Sequence, residues 1–283
     1  MTMRPTSTPA RQPPQAPAAS PAPIVFAHAN GFPAGTYGVL FEAWRAAGHA
    51  VHAVERFGHD PAYPVSGNWP HLRQQLIDFV ERQVGTPALL VGHSLGGLLS
   101  LMAACRRPDL ARGIVMLDSP VITGWRAHGL QVFKASGLIR RVSPGRIAQH
   151  RRHVWPDRAA VHAHFAAKHA FARWDPRVLA DYVEHGFVER DGRVELAFDR
   201  DIETRIYNTL PHQLGRMLRR HPPRCPVAFV AGTRSVEVRQ GGLEAARALA
   251  RERFAWIEGT HLYPMERPDE TARLVGTLIA GFG

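Results

Sequence analysis

The stretch Ala88-Leu89-Leu90-Val91-Gly92-His93-Ser94-Leu95-Gly96-Gly97-Leu98-Leu99 decides how this chain is read. Ala88 to Val91 is a short, wholly apolar run of the kind found in strands buried on both faces. Gly92 follows at once, and a glycine-rich turn leads into an apolar helix. A serine on such a strand-to-helix elbow holds a sharply turned, strained backbone, and its flanking glycines leave room for the crossing main chain. The helix that starts behind it lends positive potential to a developing alkoxide. Ser94 is therefore the candidate nucleophile.

A strand–helix rhythm extends outward from this elbow. Ile24 to Ala27 and Val51 to Val54 read as earlier strands, and Ile114 to Leu117 as the next one. Tyr37, Leu40, Phe41 and Trp44 recur at helical spacing before Gly48 stops the helix. Asn68 is the expected cap of a helix with Pro70 in its first turn. Strands alternating with helices imply an α/β fold, a mostly parallel sheet covered on both faces. The rhythm breaks over 121–203, which reads as a helical insertion ending in a hairpin turned at Asp191-Gly192. It resumes with strands at Val227 to Ala231 and Phe254 to Ile257, and closes on an amphipathic helix. The expected organisation is a Pro/Ala-rich disordered tail over 1–23, a core over 24–120 and 204–283, and a cap over 121–203.

A serine hydroxyl is a weak nucleophile until a base removes its proton. Of sixteen histidines, His261 stands out because it follows the last strand, in Gly259-Thr260-His261-Leu262-Tyr263-Pro264-Met265-Glu266. Its loop ends at the same sheet edge as the elbow. Asp118, at the end of the fourth strand, is a candidate acid to orient that imidazole, and a turn-forming Asp before Ser-Pro is the competing reading. An oxyanion hole has to come from backbone amides. Leu95 supplies one, and Phe32, in His28-Ala29-Asn30-Gly31-Phe32-Pro33, is the choice for the other, with its ring as a wall of the acyl pocket. Lid aromatics such as Trp125, Phe133, Trp155, Phe165, Phe171 and Trp174 either line that pocket or pack the lid onto the core.

Composition narrows the classes. The 283 residues carry a formal charge of +11, nearly all of it from arginine, with Lys134 and Lys168 the only lysines. The arginines are dispersed, with short clusters at Arg140-Arg141, Arg151-Arg152 and Arg219-Arg220, which reads as compositional habit rather than a nucleic-acid stripe. No apolar run reaches the 18 residues a membrane span needs. The tail lacks an apolar signal region. Cys105 and Cys225, far apart and outside any C-x-x-C pair, read as buried thiols in a reducing, cytoplasmic setting. The lid histidines are explained better by amphipathic faces than by zinc, so no metal or organic cofactor is expected.

Together these residues resemble the α/β-hydrolase superfamily, from Ile24 to Gly283. The elbow matches its G-x-S-x-G, the end matches its G-H-x-x-x-x-E-x-P habit with Thr260 replacing the glycine, and Asn30-Gly31-Phe32 matches its H-G-x oxyanion loop. The resemblance implies a Ser-acid-His order, kept by Ser94, Asp118 and His261, and a helical cap after the strand ending at Asp118. Three departures stand out. The usual acid position, after the penultimate strand, holds Ser235 here, so the acid is either Asp118, one strand earlier, or Glu237. Asn30 replaces the oxyanion-loop histidine, with His28 two residues upstream. Two antiparallel strands that open the family's sheet are not expected. Within the family, Ser94 argues against dehalogenases and epoxide hydrolases, whose nucleophile is a carboxylate. An esterase or thioesterase acting on a small acyl substrate is the leading expectation. A C–C bond hydrolase, a perhydrolase and a catalytically silent ligand binder remain as alternatives.

Overall fold

The computed structural model describes residues 21–135 and 144–282. Most of the expected tail, together with Arg140, Arg141 and the Phe133 side chain, lies outside the described residues. The chain runs through β1 (Ile24–Ala27), α1 (Gly38–Ala46), β2 (Val51–Ala53), α2 (Pro70–Phe79), β3 (Ala88–His93), α3 (Leu95–Arg106) and β4 (Ala111–Leu117). It then leaves the sheet through α4 (Gly124–Ala135), α5 (Gly145–His150), β5 (Val154–Trp155), α6 (Arg158–Ala166) and α7 (Pro176–His185). The same excursion continues with β6 (Phe187–Arg190), β7 (Arg193–Leu196), α8 (Arg200–Asn208) and α9 (Leu214–Arg220). The sheet resumes with β8 (Val227–Gly232), α10 (Val236–Gly241), α11 (Glu244–Ala250), β9 (Phe254–Ile257), α12 (Tyr263–Glu266) and α13 (Pro268–Ala280).

The six strands of the main sheet are ordered β2-β1-β3-β4-β8-β9, and every pairing is parallel. Side-chain alternation splits the core in two. Val25, Leu90, Ile114 and Phe229 face a layer built on α2, α3 and α11. Ile24, Leu89, Val115 and Val230 face the other, built on α1 and α13. Burial on both faces is why these strands read as unbroken apolar runs. The strand order reverses direction between β1 and β3, and the crevice at such a switch point, at the carboxyl ends of the strands, is where open α/β sheets bind ligands. Ser94 stands at the end of β3, and the loop from His28 to Pro33 leaves the end of β1.

The excursion between β4 and β8 is less purely helical than expected. The hairpin β6–β7 turns at Asp191 and Gly192, both with positive φ (50° and 70°), the geometry of a two-residue hairpin. It gains a third strand, β5, paired antiparallel to β7. Two residues are too few to show a period, so β5 leaves no sequence signal. It forms because Trp155 is buried edge-on against Phe187, 5.2 Å between centroids. The boundary expected between 203 and 204 falls inside α8, a continuous helix capped by the Asp199 carboxylate.

Asn68 does not cap α2. It and Trp69 both adopt left-handed conformations, and the Asn68 side chain accepts instead from the His212 amide at 2.9 Å. The Trp69 indole donates to Thr209 Oγ1 at 3.1 Å, so the start of α2 is tied to the chain leaving α8. Cys105 is buried and Cys225 only partly so, and both thiols are free.

The turn from β3 into α3 is packed against β1 so closely that a Cβ at Gly96 would overlap the Ala27 carbonyl. Gly276, inside α13, has open space around it. Gly96→Ala should therefore cost about 3 kcal/mol or more, whereas Gly276→Ala should add roughly 0.5–1 kcal/mol through helix propensity. Urea denaturation of the two variants checks both signs.

Candidate active site

Ser94 has φ 53° and ψ −112°, a strained conformation for a residue with a side chain. The crowding at Gly96 helps hold it, and the Ser94 amide donates to the Leu117 carbonyl at 2.9 Å. The hydroxyl thus projects from the elbow at the crevice. Leu95 is the first residue of α3, so its amide has no partner within the helix and remains available at the elbow.

The structure brings Ser94, His261 and Asp118 together. Ser94 Oγ donates to His261 Nε2 at 3.0 Å, and His261 Nδ1 donates to Asp118 Oδ2 at 2.6 Å. Asp118 is fully buried and its backbone is left-handed at φ 45°. Its carboxylate also accepts from the Gly232 amide at 2.7 Å and from Ser235 Oγ at 2.5 Å. Ser235, at the place where the family's acid was expected, therefore donates to the Asp118 carboxylate. Burial pulls the His261 imidazole down, but the Asp118 hydrogen bond and charge, joined by the charge of Glu237, outweigh it and hold its pKa above 6.5. Glu237 is exposed and does not bond to His261. Asp118, Glu237 and His261 each place a ligand-type atom within 4.8 Å of the others, yet a metal ion there would have to displace the His261–Asp118 bond.

The loop that carries His261 is fixed from two sides. The Glu266 carboxylate accepts from the Thr260 amide at 3.0 Å and from its hydroxyl at 2.6 Å. This gives the spacing from Thr260 to Glu266 its physical meaning: the acid closes the loop over one turn. On the other side the Ala29 amide donates to Tyr37 Oη at 3.2 Å, Tyr37 donates to His93 Nδ1 at 2.8 Å, and His93 Nε2 donates to the His261 carbonyl at 2.9 Å. Burial, with the neighbouring His261, holds His93 far below the usual imidazole range, so it stays neutral and keeps these two roles. Sequence reading missed Tyr37, His93, Ser235 and Glu266 as site residues. The signals were that His93 and Glu266 lie inside the two motifs and that Ser235 occupies the family's usual acid position.

The loop after β1 differs from expectation in one respect. Phe32 packs its ring on Trp174 and Tyr182, 5.6 and 5.7 Å between centroids, and does not line the cavity at Ser94. Its amide donates to the Ala29 carbonyl at 3.2 Å, closing a turn through Gly31 at φ 84°. Asn30 lines the cavity instead. His28 is pushed down to about 4 by burial, and it pins the loop by donating to Ala29 O and accepting from the Phe57 amide. Glu203, paired with Arg151 at 2.6 Å, lies directly against Gly31.

The cavity holds about 350 Å³, and Ser94 and His261 are among the residues that line it. Trp69, Leu98, Ile122, Ile206 and Leu210 give it apolar walls, and Glu237 and Gln240 stand among its polar groups. Trp155, Phe165, Phe171 and Trp174 do not line it. They pack with Tyr182 and Phe187 into an aromatic cluster, while Trp125 is 79% exposed. The packing reading holds for these four lid aromatics, Trp125 does neither, and the Phe133 side chain lies outside the described residues.

A parallel sheet with a strained serine elbow at its switch point, an acid after β4 and a histidine after β9 defines the class. The chain belongs to the alpha/beta hydrolase family, which it matches over residues 24–274. It resembles E-2-(acetamidomethylene)succinate hydrolase at 22% identity, with a TM-score of 0.72 and 92% of each chain covered. An esterase of M. tuberculosis matches at 19% identity and TM-score 0.65, covering 93% of this chain and 86% of that one. The thioesterase domain from the curacin biosynthetic pathway matches at 18% identity and TM-score 0.63, covering 93% and 92%. These likenesses bear on the fold. A monoglyceride lipase homolog of monkeypox virus is 28% identical over 132 residues, 44% of this chain and 47% of that relative's length. Among the described residues no helix is long and apolar enough to cross a membrane.

Tyr37→Phe would leave the Ala29 amide and His93 Nδ1 without their partner in a buried setting. A stability loss of about 1–3 kcal/mol is expected, read from denaturant unfolding beside the wild type.

Proposed function

We propose that this protein is a serine hydrolase that cleaves a small carboxylic ester or thioester through an acyl-enzyme on Ser94. The observation that carries the reading is the continuous chain from Ser94 Oγ through His261 to Asp118, at 3.0 and 2.6 Å, opening on an apolar cavity. His261 takes the Ser94 proton as Oγ attacks the acyl carbon, and Asp118 holds the imidazole in the tautomer that can accept it. The oxyanion of the tetrahedral intermediate is bound by the Leu95 amide and by that of Phe32, exchanging the long 3.2 Å turn bond for a charge-assisted one. His261 then returns the proton to the leaving alcohol or thiol. Water, activated by the same imidazole, hydrolyses the acyl-enzyme and frees the acid and Ser94.

In this reading residues 121–203 act as a cap. Ile122, with Ile206 and Leu210 just beyond it, closes the cavity against Trp69 and Leu98 of the core. About 350 Å³ lies near the lower end of small-molecule pockets, roughly 300–1,000 Å³. The preferred acyl group is accordingly small to medium and apolar.

Ser94→Ala should abolish hydrolysis of p-nitrophenyl esters. Asp118→Asn should lower kcat by about 10³–10⁴-fold, and unchanged turnover in either variant refutes the scheme. His261 works only when neutral, so kcat/KM should fall as pH drops through its raised pKa. Glu237→Gln removes one of the charges that raise this pKa. Its pH–rate profile should show the acid limb moved to lower pH and the plateau unchanged. Leu210→Trp should cut kcat/KM for the longest accepted acyl chain by about 10–100-fold and leave the acetate ester nearly untouched, which a chain-length series would read.

A further inference from the structure

The arginines that look dispersed in sequence are not all dispersed in space. A continuous furrow runs between α2, α3 and α9, and its widest section encloses about 580 Å³. Two narrower sections adjoin it around His221. Arg73, Arg106, Arg216, Arg220 and Arg224 all line it, and among the described residues no aspartate or glutamate does. Among the described residues none of the five forms an ion pair with a carboxylate. The contrast with the adjacent residue is direct: Arg107 pairs with both Glu81 and Asp109.

Arg73 adds a second, independent observation. Its Nε is buried and has no hydrogen-bond partner among the described residues. A buried guanidinium N–H left unpaired costs free energy, and the gap calls for an acceptor. Burial and the charge of Arg106 both press its pKa downward, so the two cations repel each other across the furrow floor. An anion seated between them would relieve both costs at once.

We infer that this furrow is a binding site for a small phosphate-bearing ligand. Planar guanidinium forks match phosphate oxygens two at a time, and several arginines around one concavity suit a diphosphate better than a lone carboxylate. Among the described residues the lining offers no tryptophan, tyrosine or phenylalanine on which bases could stack, which disfavours single-stranded nucleic acid. The site goes beyond the esterase reading and stands without it. The two cavities do, however, share a wall. Pro211 lines both, Trp69 lines the one at Ser94 while its neighbours Asn68 and Pro70 line the furrow, and on α3 Leu98 faces one and Met102 the other. Phosphate in the furrow therefore comes either from a free ligand or from the leaving group of an acyl substrate.

Calorimetric titration with inorganic pyrophosphate at low salt tests the site. The wild type should bind it, Arg73→Gln/Arg220→Gln should weaken binding more than tenfold, and Arg112→Gln/Arg273→Gln, exposed arginines outside the furrow, should leave it within twofold. Thermal unfolding of each variant checks that the fold is kept. No binding to the wild type, or equal weakening in both double variants, overturns the proposal. So does a short single-stranded oligonucleotide that binds through Arg73 and Arg220 when pyrophosphate does not. A second arm names the source of the phosphate. A raised KM for an acyl-coenzyme A thioester, with KM for the p-nitrophenyl ester of the same acid unchanged, assigns the phosphates to the substrate's leaving group. Lost pyrophosphate binding with both KM values unchanged assigns them to a separate ligand. Both results support the site.

Discussion

Burying a carboxylate without compensation is among the more expensive things a fold can do. Asp118, with no exposed surface, is compensated by three donors that come from three different places in the chain. Gly232 closes β8, Ser235 opens α10, and His261 sits in the loop after β9. The carboxylate therefore binds the ends of three adjacent strands together, and the strand order puts β3 and its serine elbow next to them. The proposed relocation of the acid to Asp118 fits the same geometry. Positions after β4 and after β8 face one imidazole from neighbouring strands, so a carboxylate at either can reach Nδ1. With Asp118 in that role, Ser235 supplies a hydroxyl donor.

Around this node the remaining contacts act to keep small displacements from accumulating. Glu266 clamps the His261 loop from its far end, and the relay from Ala29 through Tyr37 and His93 ties the same loop to the turn after β1. The groups that would act on a substrate are thus held by bonds that do not themselves take part in chemistry. Preorganisation of this kind is where electrostatic catalysis draws its strength, because no reorientation is needed as charge develops. The neutrality of His93 and His28 is part of that rigidity. Each keeps one nitrogen as donor and one as acceptor, since burial disfavours the charged form.

What was legible in the sequence was what short-range chemistry dictates. The apolar run ending in Gly92 could be only a buried strand meeting a tight turn, and His261 could be found because it follows the last such run. The Asp191-Gly192 hairpin carries its own turn chemistry and forms as read. The misreadings have a common cause: tertiary partners competing with local ones. Asn68 has the residue type of a helix cap, but the amide of His212 takes its carboxamide. Phe32 was placed in the pocket wall because of its loop, yet the lid aromatics Trp174 and Tyr182 offer its ring more apolar surface. The basic furrow is the extreme case. Its arginines are scattered from Arg73 to Arg224, and only the packing of α2, α3 and α9 side by side gathers them.

The central claim is that Ser94 is an activated nucleophile. The most direct measurement is mass spectrometry of the intact protein, followed by peptide mapping, after brief exposure to a fluorophosphonate. The account predicts one covalent adduct per chain, located on Ser94 and formed much more slowly when Asp118 is replaced by Asn. A well-folded wild type that takes up no adduct, or takes it up equally at other hydroxyls, would contradict the account.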